Sequence, residues 1–402
     1  MKKDNLQNIR HQTEIKANNL LKLFNLIKSN NMVSRSWLSK NSGLSPSTVS
    51  VLIDELILKG FIIENKNDNS NNQTALGRKP ISLMVCPEKN LIIGMGIYTN
   101  TFTGCVYNLK MEKLYTLDSG EIGFKDNYIA VTIDFIKQLM SFFPGVNFRA
   151  IGISIPSIVS RKNQISQVAQ NVLGLSVHGD DIRRSVENAF SIPVVVDNRG
   201  KLSGMAEKNT FYPDIDDFFY ISMIKSGMYG YAAKFDGFSH TFFTCEIGHM
   251  SIQQDGRSCR CGGKGCIETY CSLENVTSSW EALLQKTNKQ NGRVCTFDAL
   301  IKAKNSGEKE AVDAVLSSAA YMGVGVSNII NLFNPQVVVI GGLSYQFGRD
   351  YLELVKAEAQ ARATPLFFEQ CVITYSKFTE DTACLGAALS VLKQIERDLL
   401  CS

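Results

Sequence analysis

The sequence predicts an α/β protein in two parts, an amino-terminal winged helix-turn-helix over residues 1–85 and an α/β body over residues 86–402. Three observations carry this. The first eighty or so residues hold three helix-periodic segments with capping residues, followed by two apolar segments around a polar loop. From Leu91 onward short apolar strands alternate with helical stretches, the pattern of an α/β body. The charge is also uneven. Residues 1–85 carry twelve Lys and Arg against six Asp and Glu, so the overall +4 leaves −2 for the rest, as expected if only the first module meets a polyanion.

The first helix is marked by Leu20, Leu21, Leu23, Phe24, Leu26 and Ile27, which recur at helical spacing. Ser34 caps a second, shorter helix with Trp37 and Leu38 on its buried face, and Gly43 ends it. In the third helix Ser45 is the N-cap, Pro46 suits the first turn, and Val49, Leu52, Ile53 and Leu56 form one apolar stripe before Gly60. That stripe leaves Ser47, Thr48 and Ser50 outward, where a recognition helix presents short side chains to DNA. Phe61 to Ile63 and Ile81 to Val85 read as the strands of a wing. Its distal side carries Gly77, Arg78, Lys79 and Pro80, two cations placed to reach a phosphate backbone or a minor groove. Ser45, Ser47, Thr48, Ser50, Arg78 and Lys79 are therefore the candidate DNA contacts.

In the body, strands are predicted at Leu91 to Gly96, Ala150 to Ile155, Val194 to Val196, Phe218 to Ile224 and Val337 to Ile340. The first ten residues have no following apolar stretch of a secretion signal, and no apolar run is long enough to span a bilayer, so a cytoplasmic location is expected. Eleven cysteines in that reducing setting point to metal ligation or burial before disulfides.

The stretch Glu246-Ile247-Gly248-His249, followed by Cys259-Arg260-Cys261-Gly262-Gly263-Lys264-Gly265-Cys266-Ile267-Glu268, holds three close thiols and a nearby imidazole. Those four ligands suit tetrahedral zinc in a closed structural site, and the intervening glycines let the backbone turn tightly around it.

This segment resembles the signature of the ROK family of repressors and sugar kinases. The likeness extends to Gly152-Ile153-Ser154-Ile155-Pro156, to Pro193-Val194-Val195-Val196-Asp197-Asn198, and to Asn331-Leu332-Phe333-Asn334-Pro335 before Gly341-Gly342. The resemblance implies a two-lobed body of the actin-like, ribonuclease-H-like ATPase type. It implies His249, Cys259, Cys261 and Cys266 as structural zinc ligands, and Asn198, Arg199, Glu246, His249 and Glu268 around a sugar effector.

Three kinase parts depart from the family pattern. The DxGGT-like turn reads Gly94-Met95-Gly96-Ile97-Tyr98-Thr99, and the second phosphate loop reads Lys225-Ser226-Gly227-Met228-Tyr229. In place of the general-base aspartate after Asn198 stands Arg199, whose guanidinium stays protonated and cannot take a proton. Arg199 has two readings, an ion pair with Glu246 or Glu268, or attraction of an acidic or phosphorylated sugar.

The expectation is a DNA-binding repressor of carbohydrate uptake or catabolism genes, released by a sugar, with kinase activity lost. The resemblance implies a homodimer or homotetramer on a palindromic, A·T-rich operator, with no membrane partner. A sugar kinase, and a regulator switched by a protein partner, are the alternatives.

Overall fold

The structure is a computed structural model that describes residues 2–30, 32–65, 81–86, 90–98, 101–122, 127–159, 166–168, 179–225, 227–237, 240–290, 292–380 and 382–401. The chain forms two compact units, residues 1–197 with 387–402, and residues 198–386.

The first unit begins with helix α1 (Lys2–Ser29), a two-residue strand β1 (Val33–Ser34), α2 (Arg35–Ser42), α3 (Pro46–Leu58), β2 (Ile62–Asn65) and β3 (Ser82–Val85). The caps act as their chemistry requires. Ser34 Oγ accepts from Trp37 N, Ser45 Oγ accepts from Thr48 N, and Gly43 ends α2 in the left-handed region at φ 71°. Leu20, Leu23, Phe24 and Ile27 of α1 and Val49, Leu52, Ile53 and Leu56 of α3 are buried together as the module's core. Strands β2 and β3 pair antiparallel, with Ile62 opposite Val85, and β1 adds to the other edge of β3, giving the order β1-β3-β2. Three helices and a small sheet in this order make a winged helix. The loop predicted to carry Arg78 and Lys79 lies outside the described residues.

Helix α1 begins well before the apolar stripe that marks it in the sequence. The β1 strand went unread, since two residues carry no alternation.

The remainder of this unit is a five-stranded sheet. Strands β4 (Asn90–Ile97), β5 (Phe102–Asn108) and β6 (Lys113–Asp118) form an antiparallel meander, and β7 (Asn147–Ile155) lies parallel to β4. After the short hairpin β8 (Ser157–Val159) and β9 (Ser166–Val168), β10 (Val194–Asn198) takes the other edge, for the order β10-β7-β4-β5-β6. Helices α4 (Tyr128–Ser141) and α5 (Gly179–Phe190) cover it, with Phe135, Ile136, Leu139, Ile182 and Val186 in its core.

Arg149 of β7 ties this sheet to the end of α3. Its Nη2 donates to Lys59 O at 2.8 Å, its Nε donates to Asn90 Oδ1, and the guanidinium lies 5.0 Å over the Phe61 ring. Asn90 is 1% exposed and donates in turn to Gly60 O at 2.6 Å. Arg149→Ala leaves two acceptors without their charged donor and is expected to lower unfolding stability by about 2 kcal/mol. Chemical denaturation with an unchanged midpoint would show the tie to be dispensable.

The second unit repeats the sheet pattern. Helix α6 (Arg199–Phe211) precedes the meander β11 (Phe218–Met223), β12 (Met228–Phe235) and β13 (His240–Cys245), and β14 (Val337–Gly342) and β15 (Val372–Tyr375) follow parallel to β11. The order β13-β12-β11-β14-β15 matches that of the first sheet, so the body consists of two copies of one strand topology. The intervening helices are α7 (Glu268–Cys271), α8 (Leu273–Lys286), α9 (Phe297–Asn305), α10 (Lys309–Phe333), α11 (Gly348–Gln360) and α12 (Pro365–Glu369), and the last element, α13 (Ala383–Cys401), belongs mostly to the first unit. By length and composition α10 could cross a bilayer, but it lies among α8, α9 and α11 with Ala319, Met322 and Val326 in the core.

Candidate metal centre and effector site

The second unit brings the two halves of the cysteine-rich motif together. His249 ends the short 3₁₀ turn Ile247–His249, which follows β13 directly. The loop after it folds back, with Ile267 N donating to Met250 O and Ile252 N to Gly265 O. Gly265 sits at φ 69°, and a β-carbon there would lie 1.7 Å from Gln253 O, so only glycine allows this crossing. His249 Nδ1 then lies 3.6 Å from Cys259 Sγ, and Cys261 Sγ lies 3.7 Å from Cys266 Sγ. All four ligand atoms fall within 4.8 Å of one another, a cluster that can hold a metal ion. A tetrahedron with metal–sulfur bonds of about 2.3 Å has edges of about 3.8 Å. Both measured separations match such edges.

Two residues after Cys266, Glu268 opens α7 with its side chain only 6% exposed. The preceding Ile267 is seated against Gly325 of α10, where a β-carbon would come within 2.3 Å of Ile267 Cδ1, so helix packing fixes the start of α7. Glu268 Oε2 accepts from Met228 N at 3.3 Å, and Oε1 takes Arg260 Nε at 3.1 Å. Arg260 stands between Cys259 and Cys261 of the cluster. It had not been singled out from the sequence, although closing the cysteine loop necessarily carries it toward a residue two places beyond Cys266.

Tyr229 marks the middle of the charged group. Its phenol is held above its usual range by burial first, then by the carboxylates of Glu246 and Glu268, with Arg199 and Arg260 acting the other way. Burial likewise raises the Glu246 carboxyl, as does the charge of Glu268, while Arg260 opposes. Glu246, Glu268 and Arg199 therefore share one region with Arg260, and His249 faces the cysteines beside it. Asn198 is buried and caps α6, its Oδ1 accepting from Lys201 N at 3.1 Å.

Of the bulky residues in the two glycine-rich stretches, Tyr98 folds back onto Gly96 of its own stretch, whereas Tyr229 packs on Gly200 of α6. A β-carbon on Gly96 would lie 2.8 Å from the Tyr98 hydroxyl, and one on Gly200 would lie 2.4 Å from Tyr229 Cβ. Thr99 and Ser226 of these stretches lie outside the described residues.

In the winged helix, Ser47 is exposed, whereas Thr48 and Ser50 are half-buried. Ser45 Oγ is spent on its cap and is shared with Ser47 Oγ and Thr48 Oγ1 at 2.9 and 2.8 Å. Ser50 Oγ accepts from Arg35 Nη1 at 3.0 Å.

The ROK family model matches residues 93–394, three quarters of the chain. The chain belongs to the ROK family. Among ROK relatives, the xylose repressor of Caldicellulosiruptor bescii is 27% identical, and the match covers 96% of this chain and 98% of that protein. A solved ROK family transcriptional regulator, a homologue of the Escherichia coli Mlc protein, superposes with a TM-score of 0.80 at 24% identity, over 96% of this chain and 98% of that one. A ROK family glucokinase from Streptomyces griseus, solved with glucose and AMPPNP, gives a TM-score of 0.61 at 20% identity. It is matched over 99% of its length but covers 76% of this chain, so about a quarter has no counterpart in that kinase.

Proposed function

We propose that this ROK protein is a sequence-specific DNA-binding repressor of carbohydrate uptake or catabolism genes, released by a sugar effector. The observation that carries the reading is the winged helix joined to a ROK body. The xylose repressor matches both parts, at 96% of this chain, whereas the solved glucokinase leaves a quarter unmatched. Residues 1–85 hold DNA, and residues 86–402 bind the effector and form the homodimer or homotetramer that a palindromic, A·T-rich operator needs. The protein acts in the cytoplasm, where its DNA is.

In this reading the DNA contacts are Ser45, Ser47, Thr48 and Ser50 with the wing cations Arg78 and Lys79. Asn198, Arg199, Glu246, His249 and Glu268 surround the sugar, since carboxylates and an imidazole bond hydroxyls well. His249, Cys259, Cys261 and Cys266 hold a structural zinc, which keeps the loop carrying Glu268 in place when bound. His249 faces Cys259 through Nδ1, so that nitrogen is assigned to the metal and Nε2 to a sugar hydroxyl.

Kinase chemistry is assigned as lost. Arg199 follows Asn198 where the base would stand, and Tyr98 and Tyr229 stand where the family's phosphate loops carry glycines. Sugar and operator then oppose each other by linkage, because each favours a different state of the same protein. The test is fluorescence anisotropy on a selected operator, with sugars titrated in and ATP turnover measured in parallel. Release of DNA by one sugar without ATP consumption is expected, and sugar-dependent ATP turnover would restore the kinase.

A further inference from the structure

We propose that Val51 reads a thymine, packing its side chain on the 5-methyl group in the major groove. This rests on the DNA-binding reading above. Within α3 the buried stripe Val49, Leu52, Ile53 and Leu56 turns the opposite face outward, and Ser47, Val51, Asp54 and Leu58 follow one another there at helical spacing. Val51 is 65% exposed, in the second turn of the helix, and the amino-terminal turns are the part of a recognition helix that reaches base edges. Leu58 is exposed too, but it is the last residue of α3.

The hydroxyls around Val51 are oriented by bonds within the module, which fixes them for the DNA contacts assigned above. Ser47 and Thr48 share the Ser45 hydroxyl, and Ser50 is bonded through Oγ and through its carbonyl to Arg35 Nη1. Asp54, whose charge would repel phosphate one turn further along, is paired with Arg35 Nη2 at 2.8 Å, and the same nitrogen reaches Glu64 of β2 at 2.9 Å. Arg35 thus partly offsets the charge of the one carboxylate on this face, and a branched apolar side chain stands at its centre. The surplus of six positive charges in residues 1–85 suits a duplex as the occupant. In the major groove the thymine methyl is the apolar feature that such a side chain can match.

The test starts with selection of an operator from a random duplex pool by the full-length protein. Each thymine of the consensus is then replaced by uracil, which removes only the methyl group. For the wild type, one thymine per half-site is expected to lose about fourfold in affinity on replacement, the effect of one buried methyl-sized group. Val51→Ala, at an exposed position that does not endanger folding, is expected to bind the thymine and uracil operators within about 1.5-fold of each other, because a truncated side chain no longer reaches the methyl. A consensus in which no uracil replacement separates Val51→Ala from the wild type overturns the inference and leaves DNA binding standing. Selection that returns no consensus overturns the DNA-binding reading, and the inference with it.

Discussion

Purified full-length protein is expected to carry about one zinc ion per chain, and Cys266→Ser to lose it together with sugar binding. The expectation follows from where the four ligands sit. Their separations of 3.6 and 3.7 Å already match the edges of a tetrahedral sulfur and nitrogen site. Cys266 is 3% exposed and lies two residues before Glu268, with Ile267 wedged against Gly325 between them. Loss of the ion therefore loosens the loop at the point where it enters α7. Unfolding stability of the second unit is expected to fall by about 4 kcal/mol, the size of loss that follows removal of a bound metal. Elemental analysis and denaturation of the wild type, of Cys266→Ser and of chelator-treated protein check this. A Cys266→Ser chain that keeps stoichiometric zinc would take the ion away from this cluster.

Local chemistry made much of the fold legible, and distance hid the remainder. Ser34, Ser45, Pro46 and Gly43 act within a few residues of themselves, so their roles as caps and stops are readable in order along the chain. The strands at Leu91, Ala150, Val194, Phe218 and Val337 were readable for the same reason. Their pairing was not, because the shared order of the two sheets depends on contacts between distant segments. The four candidate metal ligands fall in one short motif, and the structure gathers all four. Arg260 escaped notice because its partner is identified only once the loop is closed, and Arg149 because Lys59 lies ninety residues away. Ser50 looked like an outward hydroxyl from its place opposite the stripe, yet Arg35 of the preceding helix bonds it. In each case periodicity gives the direction of a side chain but not its neighbour.

Replacing Glu268 by alanine should convert the protein into a repressor that holds DNA and no longer responds to sugar. Glu268 is oriented before any ligand arrives, by the Met228 amide on one oxygen and Arg260 on the other. A hydrogen bond from a sugar hydroxyl to such a carboxylate contributes about 1.5–3 kcal/mol, so its loss weakens sugar binding by roughly ten- to a hundredfold. Helix α3 belongs to the other compact unit and shares no partner with Glu268, so operator affinity without sugar should stay within about twofold of wild type. Arg260→Ala is the control for mere destabilisation. It removes one partner of the buried Glu268 carboxylate and keeps the carboxylate itself, so sugar binding is expected to fall less than in Glu268→Ala. Sugar titrations of the operator complex, read beside thermal shifts of the free protein, separate the outcomes. Because linkage is reciprocal, a Glu268→Ala protein that lost sugar affinity yet still released DNA at the wild-type sugar concentration would break the coupling between this pocket and the operator. The effector would then have to act through another site.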